Sequence, residues 1–176
     1  YQPPISSRVY SEDSKLIAEY ALEKRLFIPH DSIPEKVINS FLSAEDKNFF
    51  SHPGIDAKGI LRAIINNLKN IAQNKRLEGA STITQQVAKN FLLTNEVSLN
   101  RKIKEAILAF RIERALSKER ILELYLNQIY LGSGAYGVAA ASLEYFDKSI
   151  RELNYSEAAL LAALPKAPSK YNPYKD

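Results

Sequence analysis

Glu45-Asp46-Lys47-Asn48-Phe49-Phe50-Ser51-His52-Pro53-Gly54 closes a run in which Val37, Ile38, Phe41 and Leu42 recur at helical spacing, and it ends in a proline-glycine stop. The spacing predicts a helix that delivers Glu45 at its carboxyl end, on a rigid element and with poor solvation. A carboxylate placed so can serve as a base, and a histidine seven residues on adds a second group that exchanges protons near neutral pH. The plain alternative is a pair of surface acids at a fraying helix end.

Working outward, Ser32-Ile33-Pro34-Glu35 has the spacing of a capping box, with proline in the first turn, and predicts where that helix starts. Further upstream, Arg8-Val9-Tyr10 and Leu16 to Tyr20 flank the turn-forming Ser11-Glu12-Asp13-Ser14, which reads as a short hairpin. Strand is expected nowhere beyond residue 22. On the other side of Gly54, residues 56–73 carry Ile60, Leu61, Ile64, Ile65, Leu68 and Ile71 on one helical face, with Arg62, Asn66, Lys69, Asn70 and Gln73 opposite. Such a helix covers a core or, followed by Asn74-Lys75-Arg76-Leu77, lies on an anionic membrane surface.

Gly79 to Asn90 form a second constellation. Gly79 breaks the chain and Ser81 is placed to cap a helix on which Thr82, Gln85, Gln86 and Lys89 share an arc, while Ile83, Val87 and Phe91 share another. Hydroxyls and amides at a helix start, with a lysine two turns in, suit a sugar-phosphate group; a merely solvated face is the alternative. The lysine-Ser/Thr pair of a nucleotide phosphate loop is absent. In residues 99–116, Leu99, Ile103, Ala106, Ile107 and Phe110 form a broad apolar face, and Leu108 and Ile112 a second one. Two apolar faces predict a central helix. Arg101 and Glu105 lie one turn apart on it, and Glu113 falls within the apolar stripe, where an acid needs a partner. Glu113 reads as a structural ion pair, Glu105 beside Arg101 as the functional candidate. Residues 118–131 follow, with Ser117 as cap and Ile121, Leu122, Tyr125, Leu126 and Ile129 inward; 136–146 and 156–164 read as two short helices, the last halted by Pro165.

Composition bounds these readings. The 176 residues, 45% hydrophobic and 25% charged, suffice for one full core, and the absence of cysteine excludes disulfide and thiolate chemistry. Two histidines argue against a histidine-rich metal site, and a net charge of +4 favours an anionic partner. No apolar run approaches the roughly 20 residues of a membrane span. Beginning at Tyr1 without methionine, the chain reads as part of something longer.

Five ordered blocks together resemble the peptidoglycan glycosyltransferase domain of bifunctional penicillin-binding proteins and monofunctional cell-wall transglycosylases. The first is Glu45, Asp46, Phe49, His52 and Gly54; the second runs from Gly79 to Gln86 with Lys89 and Asn90; the third is Arg101, Lys102, Lys104, Glu105 and Glu113. The fourth runs through Ile121-Leu122-Glu123, Tyr125-Leu126-Asn127, Gly132 and Gly137 to Tyr145-Phe146 and Lys148, and the fifth is Ala158 to Pro165 with Tyr171-Asn172-Pro173.

The resemblance implies a single domain over 1–176, mainly α, two-lobed and lysozyme-like with a short N-terminal β-hairpin, whose small lobe at about 55–80 faces the membrane. It implies polymerisation of lipid II into β-1,4-linked glycan with inversion and release of undecaprenyl pyrophosphate, at the outer, periplasmic face of the bacterial cytoplasmic membrane. An anchoring segment and a transpeptidase domain would then belong to the parent chain. Glu45 is carried over as general base and Glu105 as the second catalytic acid. Asp46, Phe49, His52, Ser81, Thr82, Gln85, Gln86, Lys89, Asn90, Arg101 and Lys104 are carried over as substrate contacts. Lipid II, the lipid-linked strand and the membrane surface are the implied partners, with no nucleic acid. No cofactor is required, a divalent cation such as Mg2+ at Glu105 being the one option. The chain departs from the pattern at Val97, where many members have arginine; Lys104 is the neighbouring replacement. A lysozyme-like glycan-cleaving enzyme, or lytic transglycosylase, is the alternative in the same fold, and a basic binding module for nucleic acid or membrane the alternative outside it.

Overall fold

Helical periodicity after Ser32 carries through to the architecture of the computed structural model, which describes residues 7–11, 13, 16–20, 23–75, 77–92, 98–171 and 173. Val97, Arg76 and Asn172 lie outside the described residues. Seven helices are present among them: α1 Glu35–Glu45, α2 Ala57–Ala72, α3 Ile83–Leu92, α4 Leu99–Ala115, α5 Lys118–Gln128, α6 Val138–Phe146 and α7 Tyr155–Ala163. The protein is mainly α, as expected. The chain divides into two compact units, Tyr1–Ile38 with Leu126–Asp176, and Asn39–Tyr125.

In the first unit, strands β1 Ser7–Tyr10 and β2 Leu16–Tyr20 pair antiparallel, with Arg8 opposite Glu19 and Val9 opposite Ala18. Strand was expected only before residue 22, but β3 Lys24–Arg25 pairs in parallel with β4 Ala135–Tyr136. Two-residue strands carry no alternation to read, so they leave no sequence signal. The glycines around β4 do leave one. Gly137 has φ +83°, and a Cβ there would lie 2.7 Å from the Asn127 carbonyl oxygen, so the backbone reversal after β4 admits only glycine. α6 buries Val138, Ala139, Ala140 and Ala141, and α7 buries Ala158, Leu161 and Ala162. α7 opens on a capping box between Asn154 and Glu157 and is followed by a 3-10 turn, Leu164–Lys166, at Pro165. The capping box expected at Ser32 does not form. Ser32 belongs to a 3-10 turn, His30–Ser32, and the carbonyl of Pro34 takes the first helical N–H groups, from Val37 and Ile38.

The second unit decides the open reading of α2 and overturns that of α4. α2 is capped by Asp56, whose side chain accepts from the Gly59 N–H, and it buries Gly59 and Ala63. Most of its isoleucines and leucines point outward: Leu61, Ile64, Ile65, Leu68 and Ile71 are exposed, Leu68 by 67%, while Ile60 is half-buried. α4 does the same. The expected central helix buries only Glu105 and Ala109, while Leu99, Ile103, Ile107 and Phe110 are exposed. Small residues decide the packed side because they let backbones approach: a Cβ on Gly54, at φ +98°, would lie 3.0 Å from the backbone carbon and oxygen of Ala109. α5 follows the expectation, with Ile121, Leu122 and Tyr125 buried and the Ser117 hydroxyl accepting from the Arg120 N–H.

Candidate active site

Glu45 is the last residue of α1, and its Oε2 accepts a 2.8 Å hydrogen bond from the side-chain amide of Gln86 on α3. A carboxylate at a helix carboxyl end gains nothing from the helix dipole, so it depends on donors brought by other elements. The next residue turns away. Asp46 is buried, its two oxygens each 3.0 Å from Nε2 of His52, and its Oδ2 also accepts the backbone N–H of Ile83, the first residue of α3. Nδ1 of His52 accepts the Gly54 N–H, so the ring proton sits on Nε2 and points at Asp46. An imidazole spent at both nitrogens anchors the loop.

Thr82 and Gln85, not Ser81, cap α3. The Thr82 hydroxyl accepts from the Gln85 N–H while the Gln85 side chain accepts from the Thr82 N–H, a capping box that buries both residues. The same hydroxyl donates to the Gly54 carbonyl at 2.6 Å. α3 thereby enters at a fixed height beside Glu45, with Gln86 at hydrogen-bond distance. Phe49 is fully buried, and Lys118 Nζ lies 4.5 Å from its ring centroid. Lys118 also donates to the His52 carbonyl and to Glu113, each at 2.7 Å, and Glu113 accepts from the Thr84 hydroxyl at 2.6 Å. Glu113 is the structural ion pair expected of it.

On α4, Glu105 is 2% exposed and accepts from Arg101 through one oxygen and from Lys102 through the other, the latter at 2.7 Å. Lys102 reaches on to the Ser81 hydroxyl at 2.7 Å. Nε of Arg101 is buried without a hydrogen-bond partner among the described residues. Lys89, Asn90 and Lys104 are exposed. Thus Glu45 meets Gln86; Asp46, His52, Thr82 and Gln85 form one buried network under the loop; Arg101 and Glu105 are linked to Ser81 through Lys102.

Lys118, Lys102, Thr84 and Tyr125 were not read as site residues from the sequence. A lysine at the first position of a helix opposes the dipole, so Lys118 breaks a local rule and carries a signal that it is held by something else. Tyr125 has a buried hydroxyl without a partner among the described residues; burial pushes its ionisation well above the usual tyrosine range, and the carboxylates of Glu45 and then Asp46 push it further. No three His, Asp or Glu side chains gather as a cation site among the described residues. Both oxygens of Glu105 already face cations, so the donor set here does not suit a divalent ion.

A family model described as transglycosylase matches residues 13–176. Penicillin-binding protein 1A of Rickettsia felis is 61% identical over 176 residues, which is 100% of this chain and 22% of that protein. Penicillin-binding protein 1A of Aquifex aeolicus is 55% identical over 174 residues, 99% of this chain and 24% of that protein. A crystal structure of penicillin-binding protein 1A from Haemophilus influenzae aligns over 96% of this chain and 15% of that one, at 27% identity and a TM-score of 0.46. The chain therefore spans about a quarter or less of the length of these relatives.

Proposed function

Because this chain belongs to the transglycosylase family, we propose that it is the peptidoglycan glycosyltransferase part of a longer protein and extends glycan strands from lipid II. The observation that carries this reading is Glu45 itself: a carboxylate at the end of a rigid helix, fixed by Gln86 from a helix whose start is capped and buried. Glu45 takes the proton from the 4-hydroxyl of the lipid-linked acceptor as that oxygen attacks the anomeric carbon of the donor. The new β-1,4 bond forms with inversion as the bond to undecaprenyl pyrophosphate breaks, and the electron pair leaves on a phosphate oxygen. The half-buried Arg101 and the exposed Lys89 and Lys104 are the cations for that oxygen. Glu105 holds Arg101 and Lys102 in place, and no step is routed through a metal.

A lytic, lysozyme-like enzyme would also use a glutamate but has no pyrophosphate to neutralise; the cations Lys89, Arg101 and Lys104 favour transfer over cleavage. The outward apolar faces of α2 and α4 and a net charge of +4 favour work at an anionic membrane surface, with the lipid tails of donor and acceptor in the bilayer. No described helix is long and apolar enough to cross a membrane. The placement proposed is the outer face of the cytoplasmic membrane.

Glu45→Gln tests the reading. The amide keeps the shape but accepts no proton, so polymerisation of lipid II should fall about a hundredfold to ten-thousandfold with the melting temperature nearly unchanged. A folded variant that polymerises at the parental rate would remove Glu45 from the mechanism.

A further inference from the structure

Tyr125 on α5 is fully buried, and its ring meets the edge of Phe41 on α1 at 6.2 Å between centroids. Phe41 lies one helical turn before Glu45, so the phenol packs along the helix stripe that ends in the proposed base. Its hydroxyl has no hydrogen-bond partner among the described residues. Burying a hydroxyl without a partner is costly, and phenylalanine would fill the same space without that cost. A tyrosine there points to a partner other than the described protein groups. Of the two carboxylates whose charge reaches the phenol, Asp46 already accepts from His52 through both oxygens and from the Ile83 N–H through one. Glu45 accepts from Gln86 through Oε2.

We propose that Tyr125 is a positioning residue for Glu45, its hydroxyl donating to one buried water that donates in turn to the Glu45 carboxylate. A buried water needs two to four polar partners, and this one has a phenol donor and a carboxylate acceptor. The bridge orients the carboxylate from α5 while Gln86 orients it from α3. It also favours the ionised form, offsetting the like charge of Asp46 on the next residue. The base is then both charged and aimed before substrate arrives.

The inference rests on Glu45 being the base, and the test separates the two. Tyr125→Phe removes one oxygen from the chain. The expected result is a folded protein whose kcat falls roughly tenfold or more, with KM for lipid II unchanged and the acidic limb of the kcat profile moved to higher pH. The melting temperature should drop slightly, because a satisfied hydroxyl is lost; an idle buried hydroxyl would instead give a rise. In a Glu45→Gln background, Tyr125→Phe should change the residual rate little. A high-resolution crystal structure should show a water within hydrogen-bond distance of both Tyr125 Oη and Glu45. Parental kcat with an unmoved acidic limb overturns the proposal while Glu45→Gln still abolishes turnover. An equal loss in both backgrounds overturns it too, as does a water seated on Asp46 alone. If Glu45→Gln itself retains the parental rate, the reading of the base fails first.

Discussion

At Gly54 two constraints fall on one atom position: φ is +98°, and a Cβ would press at 3.0 Å on the backbone of Ala109 and at 3.1 Å on Glu113. The residue also gives its N–H to His52 and its carbonyl to Thr82, so a shift here reaches Asp46 on one side and the start of α3 on the other. Gly54→Ala should cost about 2 kcal/mol in urea unfolding, with turnover reduced beyond what the unfolded fraction explains. Parental stability would mean that the loop relaxes without strain. His52 illustrates what residue type alone conveys. A histidine near a glutamate suggests proton traffic, but both ring nitrogens are occupied by Asp46 and the Gly54 N–H, and its work is to hold the turn that follows Glu45. Acids, histidine and glycine within ten residues are an unusual density, which is why this stretch stands out in the sequence. That density could not divide the cluster into one side chain facing outward and several facing each other, since that division is set by contacts from α3 and α4, remote in sequence.

At the level of elements, periodicity located the helices well, left the orientation of α2 open and oriented α4 wrongly. α5 reads correctly because its apolar stripe is also its buried stripe. α2 and α4 differ from it, because the face that packs is built from Gly59 and Ala63 in one, whose orientation the pattern left open, and from Ala109 with a paired Glu105 in the other, where the pattern predicted a central helix. A hydrophobicity pattern weighs large side chains and overlooks small ones that allow close contact. The cap of α2 supports a separate prediction. The Asp56 carboxyl lies below the usual aspartate range, first because it accepts the Gly59 N–H and next because it accepts the Asn48 amide. A carboxyl that ionises more readily folded than unfolded contributes stability above its unfolded-state value, and that contribution disappears as pH falls through the lower folded value. Asp56→Asn keeps one acceptor for the Gly59 N–H but loses the charge and the acceptor for the Asn48 amide, so it should lower stability near neutral pH by less than Asp56→Ala does and flatten its decline below about pH 4. Asp56→Ala should lose about 1 kcal/mol at neutral pH. Urea titrations of the three proteins across that range decide it; an unchanged acid decline in Asp56→Asn would assign the loss to other carboxyls.

For the molecule as a whole, two helices of one unit present large apolar side chains to solvent while the chain carries a net charge of +4. That combination predicts adsorption to vesicles of anionic lipid, weakened by salt and by loss of apolar contact. Replacing Leu61 and Leu68 on α2 by serine should weaken partitioning by about 2 kcal/mol, more than tenfold, with the far-ultraviolet circular dichroism spectrum unchanged. Unaltered partitioning would direct attention to the α4 face, Leu99, Ile103, Ile107 and Phe110. The network beneath Glu45 has a different reach. Asp46 is tied to the backbone N–H of Ile83, Thr82 to the carbonyl of Gly54, and Lys118 to the carbonyl of His52. In each tie one participant is main chain, common to almost every amino acid, so the side-chain end alone carries the identity of the bond, even though Gly54 and His52 are constrained for reasons of their own. Genetic suppression has no second side chain to adjust there: a lost Asp46, Thr82 or Lys118 leaves a backbone group waiting for a chemistry that no compensating substitution across the contact can restore.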